Sequence, residues 1–240
     1  MSSNAYVALS AQLALSRRLD TLANNMANAT TAGFRAEKVD FAQLISRSAD
    51  TPVSFASRGE THLSTAPGEL TETGNPLDVA IRGSSWFSVQ TPSGFAYSRD
   101  GRMQMTETGE LKSLSGHPIL DAGGAPLQIN PSAGPPTIAK DGTITQGNQQ
   151  VGAIGLYSMD PSTKFTRADG ATVVPDITPV PELDFNSNGI AQGFVEKSNV
   201  NPVSELTKLI AVQRAFDAVS NMLKDTENSM LDAIKVLSGA

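Results

Sequence analysis

Cysteine is absent from the chain, which excludes a disulfide frame and any thiolate metal site. That absence suits both the cytosol and a chain exported without disulfide chemistry. Aromatic residues are sparse at 5%, and apolar residues make up 39%, near the low end for a globular chain. No run approaches the roughly 18 consecutive apolar residues of a transmembrane helix. A basic excess is missing as well. The formal net charge is −6, which argues against nucleic acid as a partner, since that would call for a basic stripe. The chain does not open on a basic cluster followed by an apolar core; Arg17 and Arg18 come after Val7, Leu9, Leu13 and Leu15. A cleaved secretory signal is not expected.

Glycine and proline are missing from both ends. None occurs from Ser2 to Ala32 or from Val203 to Ser238, whereas 19 of the 20 Gly and 13 of the 14 Pro lie from Gly33 to Gly193. Two breaker-free ends therefore enclose a turn-dense middle. Residues 1–40 carry four basic and three acidic groups, and residues 196–240 carry five and six. The surplus negative charge sits in the middle, so the two ends can pair without strong mutual repulsion.

The ends read as helices. From Tyr6 to Ala29, the positions Leu15, Leu19, Leu22, Met26 and Ala29 follow a 4, 3, 4, 3 spacing that forms one helical stripe. Gly33 is placed to stop it. At the other end Asn201 is an N-cap, Pro202 suits the first helical position, and Glu205 puts negative charge near the positive helix end. The seam then runs Leu206, Leu209, Gln213, Phe216, Ser220, Leu223, Glu227, Met230, Ile234, Leu237. Alternating steps of 3 and 4 make a coiled-coil-like repeat, interrupted by Gln213, Ser220 and Glu227. One reading pairs the two helices inside an ordinary α+β domain. The other makes them assembly helices, because burying the seam offsets too little of the cost of ordering so long a helix. Neighbouring subunits would supply the second burial surface.

The middle reads as sheet. Candidate strands are Leu77–Ile81, Trp86–Gln90, Phe95–Ser98, Met103–Thr106, Leu111–Ser113, Pro118–Leu120 and Gly152–Tyr157, separated by Asp-Gly, Thr-Gly and Ser-Gly turns in meander spacing. Trp86 and Phe87 are core candidates. The fold class expected is α+β, with long terminal helices paired around a central β-rich domain. The expected division is an N-terminal assembly helix over 1–34, an extended connector over 35–75, a β-domain over 76–160, a return connector over 161–197 and a C-terminal assembly helix over 198–240.

Chemistry-bearing patterns are scarce. His62 and His117 have no second His or Cys at ligand spacing, so no metal site is expected. Asp141-Gly142-Thr143 lacks the alternating acids of a calcium loop and reads as a turn. Glu107 and Glu110 bracket a turn; as a glycosidase pair they would need burial and a sugar cleft. No catalytic residue and no cofactor is expected.

Three separated segments carry a resemblance. Ala23-Asn24-Asn25-Met26-Ala27-Asn28-Ala29-Thr30-Thr31-Ala32-Gly33-Phe34-Arg35 resembles the N-terminal signature of the bacterial flagellar rod and hook proteins. It departs at Thr30, usually Asn, and at Ala32, usually Pro. Leu77-Asp78-Val79-Ala80-Ile81-Arg82-Gly83 with Trp86-Phe87, then Tyr97-Ser98-Arg99, is similar to the family's central motifs, with Ser85 in place of a glycine. Val195-Glu196-Lys197-Ser198-Asn199-Val200-Asn201, with Gln213-Arg214-Ala215-Phe216, is similar to its C-terminal motifs. The start Ala5-Tyr6-Val7-Ala8-Leu9-Ser10 and the length are most similar to members of the proximal rod; a distal rod or other axial position is the alternative. The resemblance implies a structural, non-enzymatic axial subunit of the basal body. It implies that terminal helices polymerise at the core of a rod spanning the periplasm, and that export uses the flagellar type III apparatus. Partners would be proximal and distal rod proteins and copies of the chain itself, with no small-molecule substrate. The implied interface residues are Leu15, Leu19, Leu22, Met26, Leu206, Leu209, Phe216, Leu223 and Met230 as seams. Asn24, Asn25, Asn28, Gly33, Phe34, Ser198, Asn199, Asn201, Glu205 and Gln213 would serve as caps and contacts, and Arg214 as a partner for a neighbour's carboxylate. The reading from a different class is a secreted or periplasmic glycan hydrolase acting through two close carboxylates within 76–160.

Overall fold

A computed structural model describes residues 3–46, 53–57 and 59–238. The chain is α+β, with one helix at each end and a β-rich centre. It divides into two compact units. The first holds α1 (Ser3–Ala27), the short strands β1 (Glu37–Asp40), β2 (Gln43–Ser46), β3 (Val53–Ala56) and β4 (Glu60–Leu63) up to His62, and a long helix at the C-terminal end; Leu63 belongs to the second unit. In the second, β5 (Leu70–Glu72), β6 (Val79–Arg82), β7 (Trp86–Thr91), β8 (Gly94–Ser98), β9 (Met103–Met105) and β10 (Leu111–Ser113) come first. There follow β11 (Thr137–Ile138), β12 (Thr143–Gln146), β13 (Gln149–Ala153) and β14 (Leu156–Ser158). Then come β15 (Phe165–Asp169), β16 (Thr172–Pro175), β17 (Val180–Pro181), β18 (Gly189–Gln192) and β19 (Phe194–Glu196), before α2 (Pro202–Ser238) returns the chain to the first unit.

Within the first unit the two helices pack on each other, and β1 and β3 lie against α1. Gln12 Nε2 donates to Ser220 Oγ at 3.1 Å, and Asn25 Nδ2 to Glu205 Oε2 at 3.2 Å. Going up α1 therefore means going down α2, so the pair is antiparallel. The register places Ser3 opposite roughly residue 230, and the last turns of α2 run about 12 Å past it at about 1.5 Å per residue. Asn201 caps α2, its Oδ1 accepting from Ser204 N at 3.1 Å.

The second unit is built around a six-stranded sheet ordered β15-β16-β8-β7-β14-β17. The meander expected for the middle is only local. The β7–β8 and β9–β10 hairpins form, but β8 takes β16 and β7 takes β14 as their other neighbours. The candidate strand Gly152–Tyr157 is split in two. At the break, Ile154 N bonds Gly142 O and Gly155 N bonds Leu120 O, and a Cβ on Gly155 would meet Asp121 O at 2.5 Å. Its two halves therefore serve different sheets. Pro118–Leu120 makes isolated bridges rather than a strand. Among the described residues, 35–75 and 161–197 carry ten of the strands.

Strand β7 is covered on both faces. Phe87 and Val89 join a core with Val79, Ile81, Leu111 and Ile144. Trp86 points the other way, against Tyr97, Val173 and Leu63, and stacks on Phe165 at 5.4 Å between centroids.

Candidate functional site

The three resembling segments meet in the second unit at one buried cluster of charge. Glu196, on β19, is 1% exposed. Its Oε2 takes two bonds from Arg99, from Nε at 2.8 Å and from a terminal nitrogen at 2.7 Å. Its Oε1 takes Arg35 at 2.8 Å and the Gly68 amide at 2.9 Å. Arg99 also donates to the carbonyls of Ser85 and Ile81, and Arg35 to that of Ala66. Arg35 lies over Trp86, its Cζ 5.9 Å from the ring centroid. Burial lowers the Arg35 pKa to about 10, against the opposing pull of Glu196 and with a further lowering from Arg99. Burial lowers Arg99 too, against Glu196. The cluster sets two guanidinium groups on one carboxyl group.

The backbone around the cluster is tied as tightly. Gly33, at φ +67°, donates to Glu196 O at 2.8 Å and sits so close to Asp100 N that a Cβ would approach it to 2.1 Å. Phe34 is fully buried beneath the Arg167 guanidinium, 4.2 Å from its ring centroid, and Arg167 donates to Arg35 O at 2.8 Å. Asn199 Oδ1 accepts from Ala36 N at 2.7 Å, and its amide donates to Ala66 O at 2.7 Å. Ser198 Oγ accepts from Val200 N at 3.2 Å.

A second node lies in the first unit. Asn25 is buried and closes a turn by bonding Glu37 through both backbone groups at 2.8 Å, and it donates to Glu205. Glu205 is buried too and accepts from Lys208 Nζ at 2.7 Å. A polar residue thus occupies the covered side of α2. The covered positions continue as Leu209, Val212, Phe216, Ser220 and Leu223, while Leu206, Gln213 and Glu227 face out. On α1, Ala8 and Leu22 are buried, and Leu15, Leu19, Asn24 and Met26 are half-buried; Asn28, in the turn after α1, is half-buried as well. Gln213 donates to Asp217 at 3.1 Å, Arg214 is exposed, and the side chain of Met230 lies outside the described residues.

Each helix also shows an apolar stripe to solvent. Tyr6, Leu9 and Leu13 on α1, and Val203, Leu206 and Ile210 on α2, are between 45% and 75% exposed. Both stripes step 3 then 4 residues, which puts each set on one helical face.

Reading motifs missed the cluster's roles. Arg35, Arg99 and Glu196 were visible as motif members, but nothing in their spacing of 64 and 97 residues shows that they share a site. Elsewhere, Glu110 pairs with Lys112 at 3.0 Å and Glu107 is exposed. An open cavity of ≈ 490 Å³ beside Lys140 and Phe185 holds one carboxylate, Asp141, whose oxygens bond its own turn through Thr143. His117 Nε2 meets Asp169 Oδ2 at 2.7 Å, and His62 Nδ1 lies 3.5 Å from Asp40. No group of three metal-ligating side chains occurs among the described residues.

Three family models match the sequence. They are the flagella basal body rod protein model over residues 6–35, the flagellar hook protein FlgE/F/G D1 domain over 80–146, and the flagellar basal body rod FlgEFG protein C-terminal model over 191–236. A flagellar basal-body rod protein FlgF of Mesorhizobium japonicum is 54% identical over 99% of this chain and 98% of its own. The FlgF of Rhizobium meliloti is 48% identical over the whole of both chains. A flagellar basal-body rod protein FlgG from Buchnera aphidicola is 31% identical over 91% and 93%.

Proposed function

Since the chain belongs to the flagellar basal-body rod protein family, we propose that it is a structural subunit of the proximal rod, built into the axial shaft through its terminal helices. The rod role rests on full-length identity to proteins named FlgF, which exceeds the identity to the FlgG relative cited. Membership implies assembly with other rod components. The observation that carries the assembly mode is the pair of uncovered apolar stripes, Tyr6-Leu9-Leu13 and Val203-Leu206-Ile210. They lie on helices already packed on one another, so their burial needs another chain. Beyond the α2 stripe in sequence comes Arg214, exposed and suited to a carboxylate of a neighbouring subunit.

In this reading the residues around 1–34 and 198–240 form the assembly part, with coiled-coil-like pairing of the helices. Leu15, Leu19, Leu22, Met26, Leu209, Phe216 and Leu223 serve the intrachain seam, while Leu206 and Arg214 serve the intersubunit one. Export proceeds through the flagellar type III apparatus, and the rod crosses the periplasm. No catalytic role is part of the proposal, and no observation favours a hydrolase: Glu107 and Glu110 form no enclosed pair. The test is a strain lacking the chain, complemented with the wild type or with Ile210→Asp. Rods that stop partway with the variant support the reading; full-length rods oppose it.

A further inference from the structure

We propose that Glu196 is the closing group of the β-unit, a single carboxylate on the last strand that makes the whole unit's fold conditional on the segment from Phe194 to Asn199. The two guanidinium groups it neutralises come from far earlier in the chain, at positions 35 and 99, and both are almost wholly enclosed. Without Glu196, enclosing them would bury two like charges with only carbonyl partners, and buried unpaired charge is among the costliest arrangements a fold can hold. Arg35 Nε has no hydrogen-bond partner even with Glu196 in place, so the site has no spare acceptor to take over. The β-unit must then stay open around Arg35 and Arg99, keeping them hydrated, until β19 docks.

Docking delivers the carboxylate by backbone register. Strand β19 pairs antiparallel with β5, Val195 opposite Thr71 and Glu196 opposite Leu70. The same step buries Val195, lets Glu196 O take the Gly33 amide, and sets Asn199 on Ala36 and Ala66. One strand therefore closes charge and backbone together. This is a property of the single chain and is independent of whether the chain enters a rod.

The only Trp of the chain, Trp86, stands beside Arg35 and reports closure by fluorescence. The experiment measures urea unfolding of full-length variants. Glu196→Gln is expected to lower the folded-to-unfolded ratio by on the order of 100- to 1,000-fold, as loss of one partner of a buried ion pair does. Lys197→Ala, which removes an exposed pair with Glu69 just beyond the paired ends of the same two strands, is expected to change it less than about fivefold. A neutral cluster combines Arg35→Met, Arg99→Met and Glu196→Leu, and it is expected to fold. Val195→Asp, which hinders docking of β19, is then added to the wild type and to the neutral cluster. The proposal predicts at least a tenfold larger loss of folded population in the charged background. Equal losses in both backgrounds overturn it, as does a Glu196→Gln variant with the wild-type ratio. Failure of the neutral cluster to fold also overturns it, since charge would then not be what makes the fold conditional.

Discussion

Gly33 shows how one residue couples a turn to a site. Its positive φ favours glycine, and a methyl group there would run into the backbone of Asp100. Gly33→Ala is expected to cost about 3 kcal/mol or more, from αL strain plus a clash that backbone must yield to. A drop of several degrees in the melting temperature followed by Trp86 emission checks this, and an unchanged melting temperature contradicts it. Part of this was legible in the sequence: a glycine after the last periodic residue reads as a stop. Its contact with Asp100 was not, because the two are 67 residues apart and only the packed fold joins them. The same holds for Asn25. As a residue near a helix end it reads as a cap, yet it closes onto Glu37 and reaches Glu205 across 180 residues.

At the scale of elements, the β15–β16 hairpin is held to the turn after β10 by His117 and Asp169. Burial pushes the Asp169 carboxyl up, but bonds from His117 and Thr172 outweigh it and hold the carboxyl below its usual value. A lowered carboxyl pKa contributes stability above the ordinary aspartate value, about 3.9, that is lost as pH falls through the lower folded value. Amide exchange in residues 165–175 is therefore expected to quicken below about pH 4 in the wild type, relative to the rest of the sheet. Asp169→Asn is expected to remove that pH response; a variant retaining it would place the response elsewhere. Helix α2 shows why elements are easier to find than to orient. A 3–4 spacing fixes that a helix exists and how long it runs. It does not choose between adjacent stripes, which lie about 100° apart at 3.6 residues per turn. Here Asn25 and Lys208 satisfy Glu205 on the covered side, which turns Leu206 outward and brings Val212 rather than Gln213 inward.

For the whole molecule, the absence of Gly and Pro at both ends and their crowding between anticipate helices at the ends and sheet in the middle. They do not anticipate that one compact unit is built from three separate stretches of chain, or that Glu37–His62 belongs with the helices. Scattered apolar residues among Ser and Thr carry no strong period, so those short strands become visible only once α1 gives them a surface. We infer that the outward apolar stripes are reserved for other subunits. Two adjacent positions on α2 separate this from simple helix stability. Leu209 is half-buried on the covered side, and Leu209→Asp is expected to weaken the helix pair itself, read as lost helical circular dichroism, with Trp86 emission unchanged. Ile210 faces solvent at 45% exposure, and Ile210→Asp is expected to leave both signals of the isolated chain unchanged. The decisive measurement is the amount of Ile210→Asp chain recovered in purified basal bodies from the complemented deletion strain. The account predicts at least a tenfold loss relative to wild type, with rods that end early; recovery at the wild-type level in full-length rods would contradict it.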